Sequence, residues 1–463
     1  MFIKRKSLKT TFILVFIKFL IINYNTVNFS LSYKIIVLLL TFLISLFVIN
    51  SIFNDNKPKY IKLVLGLFYV TFFLLNELIF LDPIMVVYRK WETSLIHVQK
   101  ILSLSYFLFI ISLISINFGM NLKLKKIKLF SSKIILSSKD IVYLAVSFLL
   151  IGIIGNIILI GGLQNYIYSF GNVFTYSDLY LERAESFKTN LVLSLIMRSF
   201  FLPGCLLIYY LYEGSRSKNI LLIMSLVIFL AIFNGVTGQR SHVINPVIFI
   251  AIKYFYDNPT FKLKHVLSVF LFFSFTVLLA FYRDYTQLGL DIQFSNFFVK
   301  FIPLTIHAIN SYVSNFSGVF SLLEYYTNEG LFKIDTIINQ FSGILGGPSP
   351  ITSQQYYWLD LTGQTGSNIR LGLFAEFFMN YSYYGILLMI IVGIIIRSIG
   401  SLPNNYKNSV VDKTLSAFFI YMLVFLVQSN FNYIPRQIFY LSWPYILLMF
   451  IYVKKKNYSY SNN

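Results

Sequence analysis

Charge is scarce in this chain, and acid is scarcer than base. Of its 463 residues 12% are Asp, Glu, Lys or Arg, with 18 acids against 38 bases. A soluble domain carries roughly 25% charged residues to clothe its surface, so a water-soluble globular fold is excluded. Cysteine occurs once, as Cys205 inside an apolar run, which rules out an intramolecular disulfide and implies no redox chemistry. Only four histidines are present, without HExxH or another cluster at metal-ligand spacing, so no metal is expected. No Walker loop and no GxSxG occur, which argues against an ATP-driven machine or a serine hydrolase. Nor is there an outer DxD of the kind that holds a metal–nucleotide sugar.

What fills the space is apolar. The chain is 57% hydrophobic and 19% aromatic, with a mean hydropathy of +0.71. Several runs reach the roughly 17–25 residues needed to cross a hydrocarbon layer of about 30 Å. Spans are expected at 10–23, 34–53, 60–81, 96–118, 141–161, 191–212, 219–234, 241–256, 264–281, 371–396, 412–429 and 437–453. The first carries Lys18 and follows the basic head MFIKRK, which resembles a signal peptide. A small-x-small cleavage site is missing and a second span follows at once, so it reads as a retained helix.

Basic residues set the orientation. With both termini cytoplasmic, the inner segments hold 24 Lys and Arg against five acids, and the outer segments 12 against 11. The spans keep Lys18, Arg198, Glu77 and Glu376, which cancel. Almost the whole net charge of +20 therefore lies inside, as the positive-inside rule requires. The expectation is an all-α polytopic membrane protein of about 12 transmembrane helices, a single integral membrane domain over 1–463. Its basic character reflects topology, and nucleic acid is not an expected partner. Two outer segments are long, 162–190 and 282–370. The second, between spans 9 and 10, is too long for a passive connection and offers a working surface.

This orientation gathers arginines on the outer side. Arg240 lies in FNGVTGQRSHVINPVIF, in the gap before span 8; Arg370 ends GSNIR before span 10; Arg436 ends NYIPR before span 12. Each stands at an outward helix N-terminus, where free N–H groups and about half a positive charge already favour an anion. A guanidinium fork there suits phosphate. Arg283 leaves span 9 in FYRDY, and Arg198 lies about 10 Å into span 6 by helical rise, a depth at which charge faces a bundle interior or a polar cavity. The plainer reading is that interfacial arginines snorkel to lipid headgroups.

Proton-transfer candidates are few. Gly372, Glu376 and Asn380 recur every four residues in RLGLFAEFFMNYSYYGILL, a small and polar stripe on an apolar helix. Glu376 either orients an arginine or acts as a base. His242, two residues after Arg240, accepts a proton near neutral pH, although a lone interfacial His also serves structure. Asp284 is a third candidate, or simply the counter-charge of Arg283; His307, in the apolar piece 297–313, reads as packed.

The layout resembles the Wzy-type polymerases of surface polysaccharides, the O-antigen or oligosaccharide repeat unit polymerases. It has an arginine turn after span 7, Arg-Asp after span 9, a large outer loop, then FAEFFMNYSYYGI. That last segment is similar to the family's G-E-F-Y-x-N-F-G-x-x-G element: Glu376, Asn380 and Gly385 match, while Ala375 replaces Gly and Tyr381-Ser382 replaces Phe-Gly. Arg436, in RQIFY, is similar to the family's closing arginine. The resemblance covers roughly residues 140–450 and rests more on layout than on identity.

The resemblance implies a GT-C-like, metal-independent glycosyltransferase without a cofactor, in the bacterial cytoplasmic membrane. Donor and acceptor would be glycans on undecaprenyl pyrophosphate. The acceptor hydroxyl attacks the donor anomeric carbon and undecaprenyl pyrophosphate leaves. Arg240, Arg370, Arg436, Arg283, Arg198 and Asn380 would bind pyrophosphate and substrate, with Glu376, His242 or Asp284 handling the proton. A chain-length regulator is an implied partner. Two alternatives stand beside it: a flippase for the same lipid-linked unit, and a ligase that moves finished glycan to another acceptor.

Overall fold

The structure, a computed structural model, describes residues 5–24, 29–54, 56–74, 95–122, 136–159, 161–171, 191–213, 373, 377, 383–405, 409–428 and 434–461. They are helical, with no strand among them. In chain order they form α1 (Arg5–Asn23), α2 (Leu31–Ile52), α3 (Lys59–Tyr69), α4 (Leu95–Asn121), α5 (Ser138–Leu159) and α6 (Leu163–Gly171). Then follow α7 (Leu191–Arg198), α8 (Phe201–Glu213), α9 (Tyr383–Ser401), α10 (Val410–Gln428) and α11 (Ile434–Ser461). A π-helical turn, Val70–Leu74, continues α3, and a 3₁₀ turn, Leu402–Asn405, follows α9. Among the described residues five segments are long and apolar enough to cross a membrane: Leu31–Ile52, Ser103–Asn121, Ser138–Leu159, Val192–Leu211 and Tyr384–Ser401. The protein is a membrane-embedded helical bundle. The expected spans 7, 8 and 9 and the loop 282–370 lie outside the described residues.

The surface is apolar where a soluble protein would be polar. Phe12, Phe16 and Phe19 on α1, Ile35, Leu39 and Leu43 on α2, and Tyr143, Val146 and Leu150 on α5 are all exposed. Exposed apolar area on this scale fits contact with lipid, not water. Inside, α10 joins two cores. Its Ile420, Leu423 and Val427 pack with α2, α3, α4 and α9. Val411, Leu415, Phe418 and Met422, on its other side, pack with α5, Leu207 of α8 and Tyr445 of α11. A helix apolar all round is a buried one, and α10 occupies that position.

Contacts fix which helix ends lie together. Ser30 Oγ meets Gln99 Oε1 at 2.8 Å, so α2 and α4 start at the same end. Lys34 Nζ reaches Asn23 Oδ1 at 2.9 Å, placing the end of α1 there too. At the opposite end Arg397 Nη1 of α9 donates to Met120 O of α4 at 3.3 Å, and Gly400 abuts the ring of Tyr60 at the start of α3. Lys413 Nζ lies 5.7 Å from the Tyr210 ring centroid, bringing the start of α10 to the end of α8. This second end carries Lys57, Lys59, Lys62, Lys139, Arg397 and Lys413, the first only Lys34 among the described residues with resolved side chains. Lys57 leans on the bundle, its Nζ 3.2 Å from Ser51 Oγ and 5.9 Å from the Phe47 ring centroid, and burial pushes its pKa down.

Two helices at the basic end begin with the same device. Asp412 N donates to Ser409 Oγ at 3.0 Å and Ser409 N to Asp412 Oδ2 at 3.1 Å. Ser137 and Asp140 repeat the exchange at 3.2 and 3.3 Å. These are capping boxes with Asp in the usual Glu position, each satisfying two N–H groups that the helix itself leaves free. Ser409→Ala is expected to lower stability by about 1 kcal/mol, read from detergent unfolding curves. Because Asp412 is buried, the loss should exceed that of Ser137→Ala at the exposed box.

Candidate functional site

Arg198 is the candidate whose side chain the structure describes, and it stands at a break. Residues 191–212, expected as one span, divide into α7 and α8 at Ser199 and Phe200. Pro203 supplies the cause. It has no N–H for the Ser199 carbonyl, and its ring clashes with that same carbonyl. The backbone tightens instead: Ser199 N splits its bond between Leu195 O (3.2 Å) and Ile196 O (3.1 Å), and Phe200 N bonds Met197 O at 3.1 Å. Ser199 Oγ takes Ile196 O at 2.6 Å. Regular spacing resumes where Gly204 N meets Phe200 O at 3.1 Å.

Helix α5 supports the break from behind. A Cβ on Gly155 would meet Arg198 N at 2.6 Å, and one on Gly152 would meet Phe201 Cβ at 2.7 Å. On α8, a Cβ on Gly204 would lie 3.0 Å from Leu149 Cγ. Small residues that let backbones approach are the usual means of joining helices in lipid. Phe200 closes the junction edge-to-face on Phe148, centroids 5.0 Å apart. Asn156, next to Gly155, is fully buried.

The guanidinium is therefore held by a short, kinked and closely backed segment. Its Nη2 is enclosed and has no hydrogen-bond partner among the described residues. An unpaired buried donor on a cation costs several kcal/mol, which a hydrogen-bond acceptor such as an anion's oxygen offsets.

Of the other sequence candidates, Arg436 lies in the first turn of α11. Arg240, His242, Arg283, Asp284, Arg370, Glu376 and Asn380 lie outside the described residues, as does His307. Leu373 and Phe377, flanking Glu376, are helical and buried in the core shared by α3, α4 and α9. Among the described residues no three His, Cys, Asp or Glu gather where a metal ion could be held. The break itself had a signal, the Pro-Gly pair at 203–204 inside an apolar run. No family model, curated protein or solved structure matches the chain.

Proposed function

We propose that this protein is a membrane glycosyltransferase that joins oligosaccharide units carried on undecaprenyl pyrophosphate, at the outer face of the bacterial cytoplasmic membrane. The observation that carries the reading is Arg198, a half-buried arginine at a break in a membrane helix whose Nη2 is enclosed and has no hydrogen-bond partner among the described residues. The leaving pyrophosphate has the charge and the oxygen acceptors that such a group lacks. Stabilising charge as the C1–O bond breaks is what fixed cations do most effectively. The leaving group carries its own activation, so neither nucleotide nor ATP is needed. Arg240, Arg370, Arg436 and Arg283 would complete the anion site, Asn380 would hold the sugar, and Glu376, His242 or Asp284 would take the acceptor's proton.

The arrangement of helix ends supports the topology this requires. The basic end of the bundle is cytoplasmic in this reading. The end of α8 lies at that end of the bundle and the start of α9 at the other. A broken helix with a buried charge also suits a transporter, and a flippase for the same lipid-linked unit is the second reading.

The test is deletion of the gene in its host and separation of the surface glycan by size. Lipid-linked single units should accumulate, and the wild-type gene but not Arg240→Ala should restore a ladder. Ladders that form but never reach their final acceptor would mean a ligase. Units trapped on the cytoplasmic face would mean a flippase.

A further inference from the structure

Helix α5 is 22 residues long, a rise of about 33 Å against a hydrocarbon layer of about 30 Å. It starts at the basic end of the bundle, with Lys139 in its first turn, so its last turn reaches the opposite membrane surface. There the chain turns on two glycines. Gly161 and Gly162 have φ of +87° and +127°, a region that glycine enters without steric cost. Gly162 N donates to Ile157 O at 2.9 Å and Gly161 N to Ile158 O at 3.1 Å, the paired bonds of a Schellman stop.

Helix α6 follows at once and does not rise into water. Its Tyr166 is buried and packs on Ile153 and Ile157 of α5. Ile153 lies about 9 Å back from the end of α5 by helical rise, so α6 folds down to the hydrocarbon boundary. The side of α5 that it takes is decisive. Gly152 and Gly155 face the break at Arg198. At about 100° per residue, Ile153 and Ile157 stand about 160° and 200° around from Gly155, and Val146, Leu150 and Ile154 at about 180°, 220° and 260°. Those last three are exposed and belong to the surface that fits lipid. Helix α6 therefore sits on the outside of the bundle, continuous with its lipid-facing side.

Leu163 and Ile167 share an arc of about 100° with Tyr166, yet they are 59% and 63% exposed. Gln164 and Asn165, also exposed, take the other side. An apolar stripe beside a polar one, at the depth of the headgroups, is the pattern of a helix lying in the interface. We infer that α6 is an interfacial helix and that the bilayer itself covers its apolar face. Tyr166 seats it on α5, and Leu163 and Ile167 enter the acyl boundary of the leaflet opposite the basic end. The partner is lipid met through apolar contact, since Leu163 to Ile167 carry no charge. This holds whether or not the protein is a glycosyltransferase.

The experiment uses the full-length protein in phosphatidylcholine vesicles, with Cys205→Ala as background. Single cysteines replace Leu150, Leu163, Gln164, Asn165 and Ile167 in turn, each carrying a nitroxide. Relaxation by oxygen, which concentrates in lipid, is compared with relaxation by a water-soluble nickel chelate. Labels at 163 and 167 should favour oxygen as the label at 150 does, and several-fold more than those at 164 and 165. If 163 and 167 favour nickel, the helix lies in water; if both are shielded from either reagent, protein covers them. Each of these outcomes overturns the inference. The labelled positions are all exposed, so the fold tolerates the changes. Should Cys205→Ala fail to accumulate, Cys205 stays in place, because it is fully buried and closed to the label.

Discussion

Arg198→Met is expected to raise the thermal stability of the protein and, under the proposed function, to abolish polymer formation. Met matches the length of the Arg stem without its charge and fills irregular space well. Replacing a buried charge with an apolar side chain of similar volume commonly returns about 1–4 kcal/mol, and Nη2 of Arg198 has no hydrogen bond to lose among the described residues. Sites that bind ligand often carry such a local instability, because the ligand provides the missing partner. Arg198→Lys should keep the charge and lose the fork, leaving stability near wild type and activity lowered but measurable. Detergent unfolding of each purified variant, read beside the glycan ladder, gives both halves. If Arg198→Met instead loses about 3–5 kcal/mol, the guanidinium belongs to a structural ion pair, and its role in binding substrate falls.

Five spans were legible among the described residues, because a bilayer imposes a length that an apolar run must meet. The expected 34–53 and 96–118 became Leu31–Ile52 and Leu95–Asn121. The capping boxes in SSKD and SVVD went unread, although a capping box is local in sequence. The π turn Val70–Leu74 was hidden, since VTFFL contains neither Pro nor Gly. Arg198 could be read as deep from helical rise alone, whereas the enclosure of its Nη2 depends on α5 packing behind the break. Lys18 shows the same limit from the other side. In sequence it is a charge among apolar residues, yet in the fold it is fully buried, its ammonium donating to the Phe73 and Leu74 carbonyls and to Tyr106 Oη.

A single methyl group at Gly393 should separate α4 from α9 and cost more than any surface change in the protein. A Cβ there would run into the Ile116 carbonyl oxygen and lie 3.0 Å from Gly119 Cα; one on Gly119 would strike the Ile390 carbonyl and lie 3.0 Å from Gly393 Cα. The obstacles are backbone atoms, which no rotamer change can move aside. Overpacking typically costs about 1–3 kcal/mol where side chains can adjust, so Gly393→Ala is expected to reach at least about 3 kcal/mol. It should also weaken the Arg397–Met120 bond one turn further along. Gly119→Ala should cost as much, and the double variant well under the sum, because either methyl alone already forces the helices apart. Gly66→Ala is the control: its Cβ would meet only Ile52 Cδ1, at 3.7 Å, so removing glycine from that helix should be neutral or gain about 0.5–1 kcal/mol. Unfolding curves for the four proteins decide the matter. Gly393→Ala melting together with Gly66→Ala would mean that the two helices do not touch at their glycines, and the core shared by α3, α4 and α9 would have to be packed another way.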